Sequence, residues 1–194
     1  MASPTDRTRS KSSSLLDCFG PRHLIDLDSA TRLAGELVSE AFGLDFTNFK
    51  QWPVDIRHYP QLSEEEMRSD VLAQLFRYNR TGPVLKTSKT DFWRICLYDP
   101  VILKAAERDE LSLHALLCYV LTHEFIHISR FIRFMELFSL DHNQRALEET
   151  IVHRQTELIL SNKSIVGLDK VLSHYREHHL PVDDDCINSI EEIQ

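Results

Sequence analysis

His123-Glu124-Phe125-Ile126-His127 lies inside the apolar run from Leu113 to Phe138 and reads H-E-x-x-H. Its spacing predicts that this stretch is helical, within one long helix from about Leu111 to Leu140. Two histidines four apart then share one helical face, where both imidazoles can reach a single zinc ion. The glutamate beside the first histidine can act as base on a metal-activated water. No other segment of the chain carries chemistry this specific. The competing reading is a surface helix with two solvated histidines. Val120, Leu121, Ile128 and Phe131 flank the motif and argue against it, because a glutamate and two histidines are costly on a buried helix unless something binds them.

The chain of 194 residues suits one domain and can bury a core without disulfide staples. A net charge of −8, with no dense basic stripe, makes nucleic acid an unsuitable partner. The four cysteines, Cys18, Cys96, Cys118 and Cys186, form no C-x-x-C pair and read as buried or free thiols of a reducing compartment. Residues 1–14 are rich in Ser, Arg and Lys and lack an apolar h-region, so they read as a disordered tail rather than a secretory signal. The apolar segment Leu111–Phe138 carries His, Glu and Arg throughout and is not expected to span a membrane. The expectation is a cytoplasmic protein with a single domain over residues 15–180 and an acidic tail over 181–194.

Outward from the motif, Asp141-His142-Asn143 reads as a turn, with a further helix from about Gln144 to Leu160 and a last one over Val166–His178. Upstream, Phe92–Tyr98 is rich in aromatic and branched residues and reads as a strand ended by Asp99-Pro100. Val84–Thr87 is its expected hairpin partner, and the edge of this element could hold an extended peptide. A short helix is expected near Val101–Glu107. Asp26–Ser29 reads as the cap of a helix running to Phe42, with Gly43 as its stop. Ser63 with Glu66 makes a capping box, which predicts a helix from there to about Tyr78, broken by Asn79–Pro83. The fold class that follows is α+β, predominantly α-helical, with a small β element before the H-E-x-x-H helix.

A catalytic zinc needs a third protein ligand and an open position. The metzincin arrangement wants Gly three residues after His127 and His six after; Arg130 and Arg133 stand there and exclude it. The next helix offers Glu148, Glu149 and His153. At about 100° per residue, Leu147, Ile151 and Leu158 fall on one side, and Glu149, His153 and Thr156 form a polar strip on the other. Glu149 is therefore the first choice as ligand, with His153 one turn later supporting it from the second layer. Glu148, nearer to Val152 and Ile159, is the alternative, and His153 itself is the third.

With these residues in place, the chain resembles the gluzincin group of zinc metallopeptidases, through His123-Glu124-x-x-His127 and a glutamate in the following helix. The resemblance implies a minimal zincin-like domain in which His123, His127 and Glu149 are metal ligands and Glu124 is the general base. One position departs from the pattern. Gluzincins carry an aspartate four residues after the ligand glutamate, bracing a ligand histidine, and here that position is His153. The implied function is zinc-dependent hydrolysis of a peptide or protein substrate, with one Zn²⁺ per chain. The N/N/O donor set suits zinc without excluding other divalent ions. Two other functions fit the same residues: a binding or regulatory module that keeps the zinc without catalysis, and a metal-dependent hydrolase of a non-peptide amide.

Other residues carry weaker signals. Arg130, one turn beyond Ile126, can reach a carboxylate or oxyanion, or stand solvated. Tyr98 and Tyr119 can each offer a hydroxyl to an oxyanion. His114 faces away from His123 and reads as structural. His174, His178 and His179 read as a solvated face near the C-terminus.

Overall fold

The structure, a computed structural model, describes residues 17–44, 54–78, 92–133 and 142–178. Helix α3 (Leu113–Arg133) runs through the middle, and its sequence explains why. Ala115 to Thr122 and Glu124 to Arg130 are all buried, so the helix is covered on every side rather than along one stripe. It is long and apolar enough to cross a membrane, but 89% of its most apolar window is buried inside the protein. Its neighbours are α1 (Pro21–Phe42), α4 (His142–Leu160) and α5 (Leu168–His178), with α2 (Asp99–Arg108) and a small sheet completing the cover. Each fully buried Leu, Ile or Phe of α3 contributes about 1.5–3 kcal/mol through burial.

α1 lies close along α3 because Ala30 and Ala34, one turn apart, leave room for it, and Val38 continues the buried stripe. The helix starts at Pro21, whose fixed φ and missing N–H suit a first turn. It ends at Gly43, which takes the left-handed conformation (φ 62°) that a side chain would resist. The stop at Gly43 is thus as the sequence suggests, but Asp26–Ser29 lie inside the helix rather than capping it. At the far end, Gly167 opens the way to α5 with φ 82°, and a Cβ there would sit 2.8 Å from the Cβ of Ser112.

The sheet has three strands in the order β1-β3-β2. β1 (Val54–His58) pairs parallel to β3 (Phe92–Leu97), and β2 (Ala73–Tyr78) pairs antiparallel to it. Phe92–Leu97 is therefore the central strand, not an edge, and its expected partner Val84–Thr87 lies outside the described residues. Trp93, Ile95 and Leu97 alternate toward the helices, as a half-covered strand requires. Cys96 and Tyr98 point the other way, onto Leu62.

The expected helix from Ser63 to Tyr78 is a correction. The Ser63–Glu66 capping box exists: the backbone N–H of Ser63 donates to Glu66 Oε2 at 2.9 Å. It closes only one 3-10 turn, Glu64–Glu66, and the chain then becomes β2. Tertiary pairing overrides local propensity here, because Glu66 is drawn into the sheet. Tyr78 Oη donates to its Oε1 at 2.6 Å, and Arg94 Nη1 does so at 2.8 Å. Asp141-His142-Asn143 is the other correction, since α4 already includes His142 and Asn143. The two tails, residues 1–14 and 181–194, together with Cys186 and His179, lie outside the described residues.

Asp99 fastens three elements at one point. Its buried carboxylate accepts the backbone N–H of Phe19 (2.9 Å) and of Tyr59 (3.0 Å) and contacts His58 Nδ1 at 2.9 Å. It also sits in the first turn of α2, where a negative charge is favoured. Burial pushes the thiols of Cys96 and Cys118 up to about 12 and about 11, so both are inert side chains of the interior.

Candidate metal centre

α3 and α4 are neighbours and meet along two matching rows of side chains. On α3 the row is Tyr119, His123 and His127, spaced by one turn. On α4 it is Glu149 and His153, with the same spacing. Tyr119 meets His153 at one end, with its hydroxyl 2.6 Å from His153 Nδ1. In the middle, His123 Nε2 lies 3.3 Å from Glu149 Oε2, and His127 Nε2 lies 3.3 Å from Glu149 Oε1. The two Nε2 atoms are 3.1 Å apart.

Glu148, next to Glu149, takes a different part. It is buried, and both its oxygens accept from Arg130, at 2.6 Å to Nε and 2.8 Å to Nη2. This fork-on-fork pair ties α4 to α3 and leaves the adjacent Glu149 turned to the histidines. Arg130 is neither a solvated arginine nor available to a ligand; its charge is spent on Glu148. The side of α4 turned inward is that of Glu148, Ile151, Val152, Thr156 and Leu160, while Leu158 is 63% exposed. Of the apolar side expected from Leu147, Ile151 and Leu158, Ile151 is buried, Leu147 is half-buried and Leu158 stands out. Glu149 stands at the rim of the buried stripe, not opposite it, and Thr156 Oγ1 donates back to the Val152 carbonyl at 2.7 Å.

Three Nε2 and carboxylate groups at 3.1–3.3 Å match what one ion requires. Donors held about 2.0–2.1 Å from a tetrahedral zinc stand about 3.3–3.4 Å from one another. Without an ion, such an approach sets lone pairs against each other unless protons intervene. His123, His127 and Glu149 therefore fit a zinc ion as they stand.

Charge at the centre follows from burial and proximity. Burial pushes the Glu124 carboxyl up to about 7, against the pull of His127 and aided by the charge of Glu149. No hydrogen bond reaches this carboxylate from the described residues, in contrast to every other buried acid discussed above. A cation at the histidines would pull it back down. For Glu149, burial acts upward, but the hydrogen bonds and charges of His123 and His127 win and hold it well below the usual carboxylate range. For His127, burial favours the neutral ring, and Glu149, followed by Glu124 and Glu148, outweighs it and raises the pKa.

A cleft of about 690 Å³ opens over the centre. His123, Glu124, His127 and Glu149 form its floor, and Ala73, Gln74 and Leu75 of β2 form one wall. Arg68 and Arg145 stand at its lip. Arg68 is held by two backbone carbonyls, those of Glu65 (3.1 Å) and Met67 (2.7 Å).

Tyr98 is fully buried and donates to the Glu66 carbonyl, so it serves the sheet. His114 contacts Cys118 Sγ at 3.7 Å and stays structural. His174 lies 3.6 Å from Asp109. The sequence reading misses the Tyr119–His153 pair. Its signal is present, however: a polar residue one turn before His123 on α3, and one turn after Glu149 on α4.

No family model matches the chain, and no curated protein or solved structure matches it.

Proposed function

We propose that this chain is a zinc-dependent hydrolase, acting on peptide bonds, with His123, His127 and Glu149 as ligands and Glu124 as general base. The observation that carries this reading is the triangle of donor atoms 3.1–3.3 Å apart on two packed helices, with a buried, unbonded carboxylate beside it. The plan is that of a minimal zincin: a small sheet on one side of the cleft and the H-E-x-x-H helix beneath it.

A bound zinc ion supplies a water acidified towards neutral pH and polarises a carbonyl. Glu124 takes the proton from that water and returns it to the leaving amine. Arg130 and Glu148 keep Glu149 in place by locking α4 to α3. β2 pairs with β3 along one side only, among the described residues, and its other side borders the cleft. An extended peptide laid along it gains backbone hydrogen bonds while its carbonyl faces Glu124.

Purified protein should hold one zinc per chain. His123→Ala and Glu149→Ala should each abolish stoichiometric binding, because each removes a ligand. Undiminished zinc in both variants would dispose of the site. A protein that holds zinc at His123, His127 and Glu149 yet cleaves no member of a random peptide library would leave a non-catalytic zinc module in its place.

A further inference from the structure

Arg68 lines the cleft over the centre, and its charge meets no opposite charge there. Its side chain is tethered through Nη1 alone, which donates to the backbone carbonyls of Glu65 (3.1 Å) and Met67 (2.7 Å). Both acceptors are neutral. Among the described residues no carboxylate pairs with Arg68, although Asp70 lines the same cleft. Arg130, the other arginine near the centre, differs in this respect, because Glu148 takes both prongs of its fork.

The turn that tethers Arg68 is itself fixed. Glu66, between the two residues that supply the carbonyls, is 3% exposed, and Tyr98 Oη donates to its carbonyl at 2.5 Å. Tyr78 and Arg94 hold its carboxylate from the sheet. A guanidinium tied by one nitrogen to so rigid a turn offers its other N–H groups from a set position, so less freedom is lost when an anion arrives. Those N–H groups form the flat fork that fits a carboxylate. An arginine that only keeps a surface solvated needs no such tether.

We infer that Arg68 selects peptides that carry a carboxylate near the cleaved bond, from an Asp or Glu side chain or from the peptide's own C-terminus. The inference rests on the peptide-hydrolase reading proposed above. Arg68 stands a few residues before β2 and borders the same cleft as Ala73, Gln74 and Leu75, so a peptide laid along β2 runs past it at one end. Carboxylates are the anions that an unmodified peptide carries. The chain has a net charge of −8 and repels them in general, and Asp70 repels them within the cleft. Arg68 is then the place where one is admitted, which makes it a residue of specificity and not of catalysis.

The test gives the full chain, loaded with zinc, two mixtures of random octapeptides, with cleavage read by mass spectrometry. One mixture contains Asp and Glu and ends in a free carboxylate; the other lacks both residues and ends in an amide. The first should be cleaved about 5–10-fold faster, the worth of one oriented ion pair open to solvent. Two crossed mixtures, acidic residues with an amide end and neutral residues with a free end, tell which carboxylate is the source. In Arg68→Ala the ratio of the two rates should fall to about one, and Arg68→Glu should turn the preference towards Lys-bearing peptides. Zinc content and thermal melts check that each variant is folded. Should Arg68→Ala not fold, Arg68→Gln, whose amide can still reach the turn, replaces it with the same expectation. Equal rates in the wild type, or a preference that survives these substitutions, would overturn this inference and leave the hydrolase reading standing. A wild type that holds zinc and cleaves nothing in any mixture would overturn the hydrolase reading, and this inference with it.

Discussion

Two glutamates of this protein are both nearly closed to solvent and behave in opposite ways. Glu66, on the outer side of the sheet, is 3% exposed, and Glu124, on α3, is 8% exposed. Burial pushes both carboxyls up, yet Glu66 ends at about 2 and Glu124 at about 7. The difference lies in depth and in donors: Glu124 sits deep in the interior, where burial weighs far more than it does at Glu66. Tyr78, the Ser63 N–H, Arg94 and the Ser63 hydroxyl all reach Glu66. None among the described residues reaches Glu124. A protein stabilised by a buried acid surrounds it with donors; leaving one bare is a cost that a folding role does not explain.

Glu124→Gln is the sharpest way to break that contrast. The amide keeps the size and removes the base, so hydrolysis should fall by about 10²–10⁴-fold while zinc content and melting temperature hold. Turnover of a cleaved peptide at the wild-type rate would remove Glu124 from the mechanism. A large loss of stability would make it a structural acid after all, like Glu66.

Glu148 and Glu149 carry the same contrast into neighbouring positions. Glu148→Ala leaves the buried Arg130 guanidinium without its partner and should cost about 3–5 kcal/mol, read as a lowered urea midpoint. Glu149→Ala should lower the midpoint of the metal-free protein by less than Glu148→Ala does, since that side chain is 54% exposed and its contacts to the histidines are partly screened, while zinc binding is lost. If the two variants exchanged these effects, Glu148 would be the ligand and Glu149 the brace.

How much of this was legible beforehand depends on whether one element or two decide the matter. The H-E-x-x-H pair is fixed by the period of a single helix, so His123, Glu124 and His127 could be placed together from spacing alone. Glu149 lies against the two histidines and Glu148 against Arg130, but the wheel that ranked them placed only Ile151 correctly on the inner face of α4: Leu158 stands out and Thr156 is buried. Apolar residues usually mark that face; here Glu148 belongs to it because Arg130 comes from another helix to meet it, and no pattern within α4 can show that. β2 was hidden for a related reason. Ser63 and Glu66 do form their capping box, but the same carboxylate is also claimed by Tyr78 and Arg94. Strand pairing to β3 then decides the conformation of Ala73–Tyr78. Tyr119 meeting His153 depends on the register of two helices, which a local pattern does not encode.

Glu66→Gln should produce the smallest effect and gives the contrast its pH axis. The folded carboxyl, at about 2, lies below its ordinary value of 4.5, so the folded state prefers the charged form. The stability this supplies is complete above about 4.5 and drains away as the pH falls towards about 2. The variant lacks it at every pH. At pH 7 it should therefore unfold more easily by about 1–3 kcal/mol, the cost of a charged hydrogen-bond acceptor lost from a buried site. Denaturation midpoints at intervals between pH 7 and pH 3 should show the two proteins converging, because the wild type loses what the variant never had. A gap that stays constant down to pH 3 would mean that shape and not charge is what Glu66 contributes. The distinction between the two buried acids would then rest on Glu124 alone.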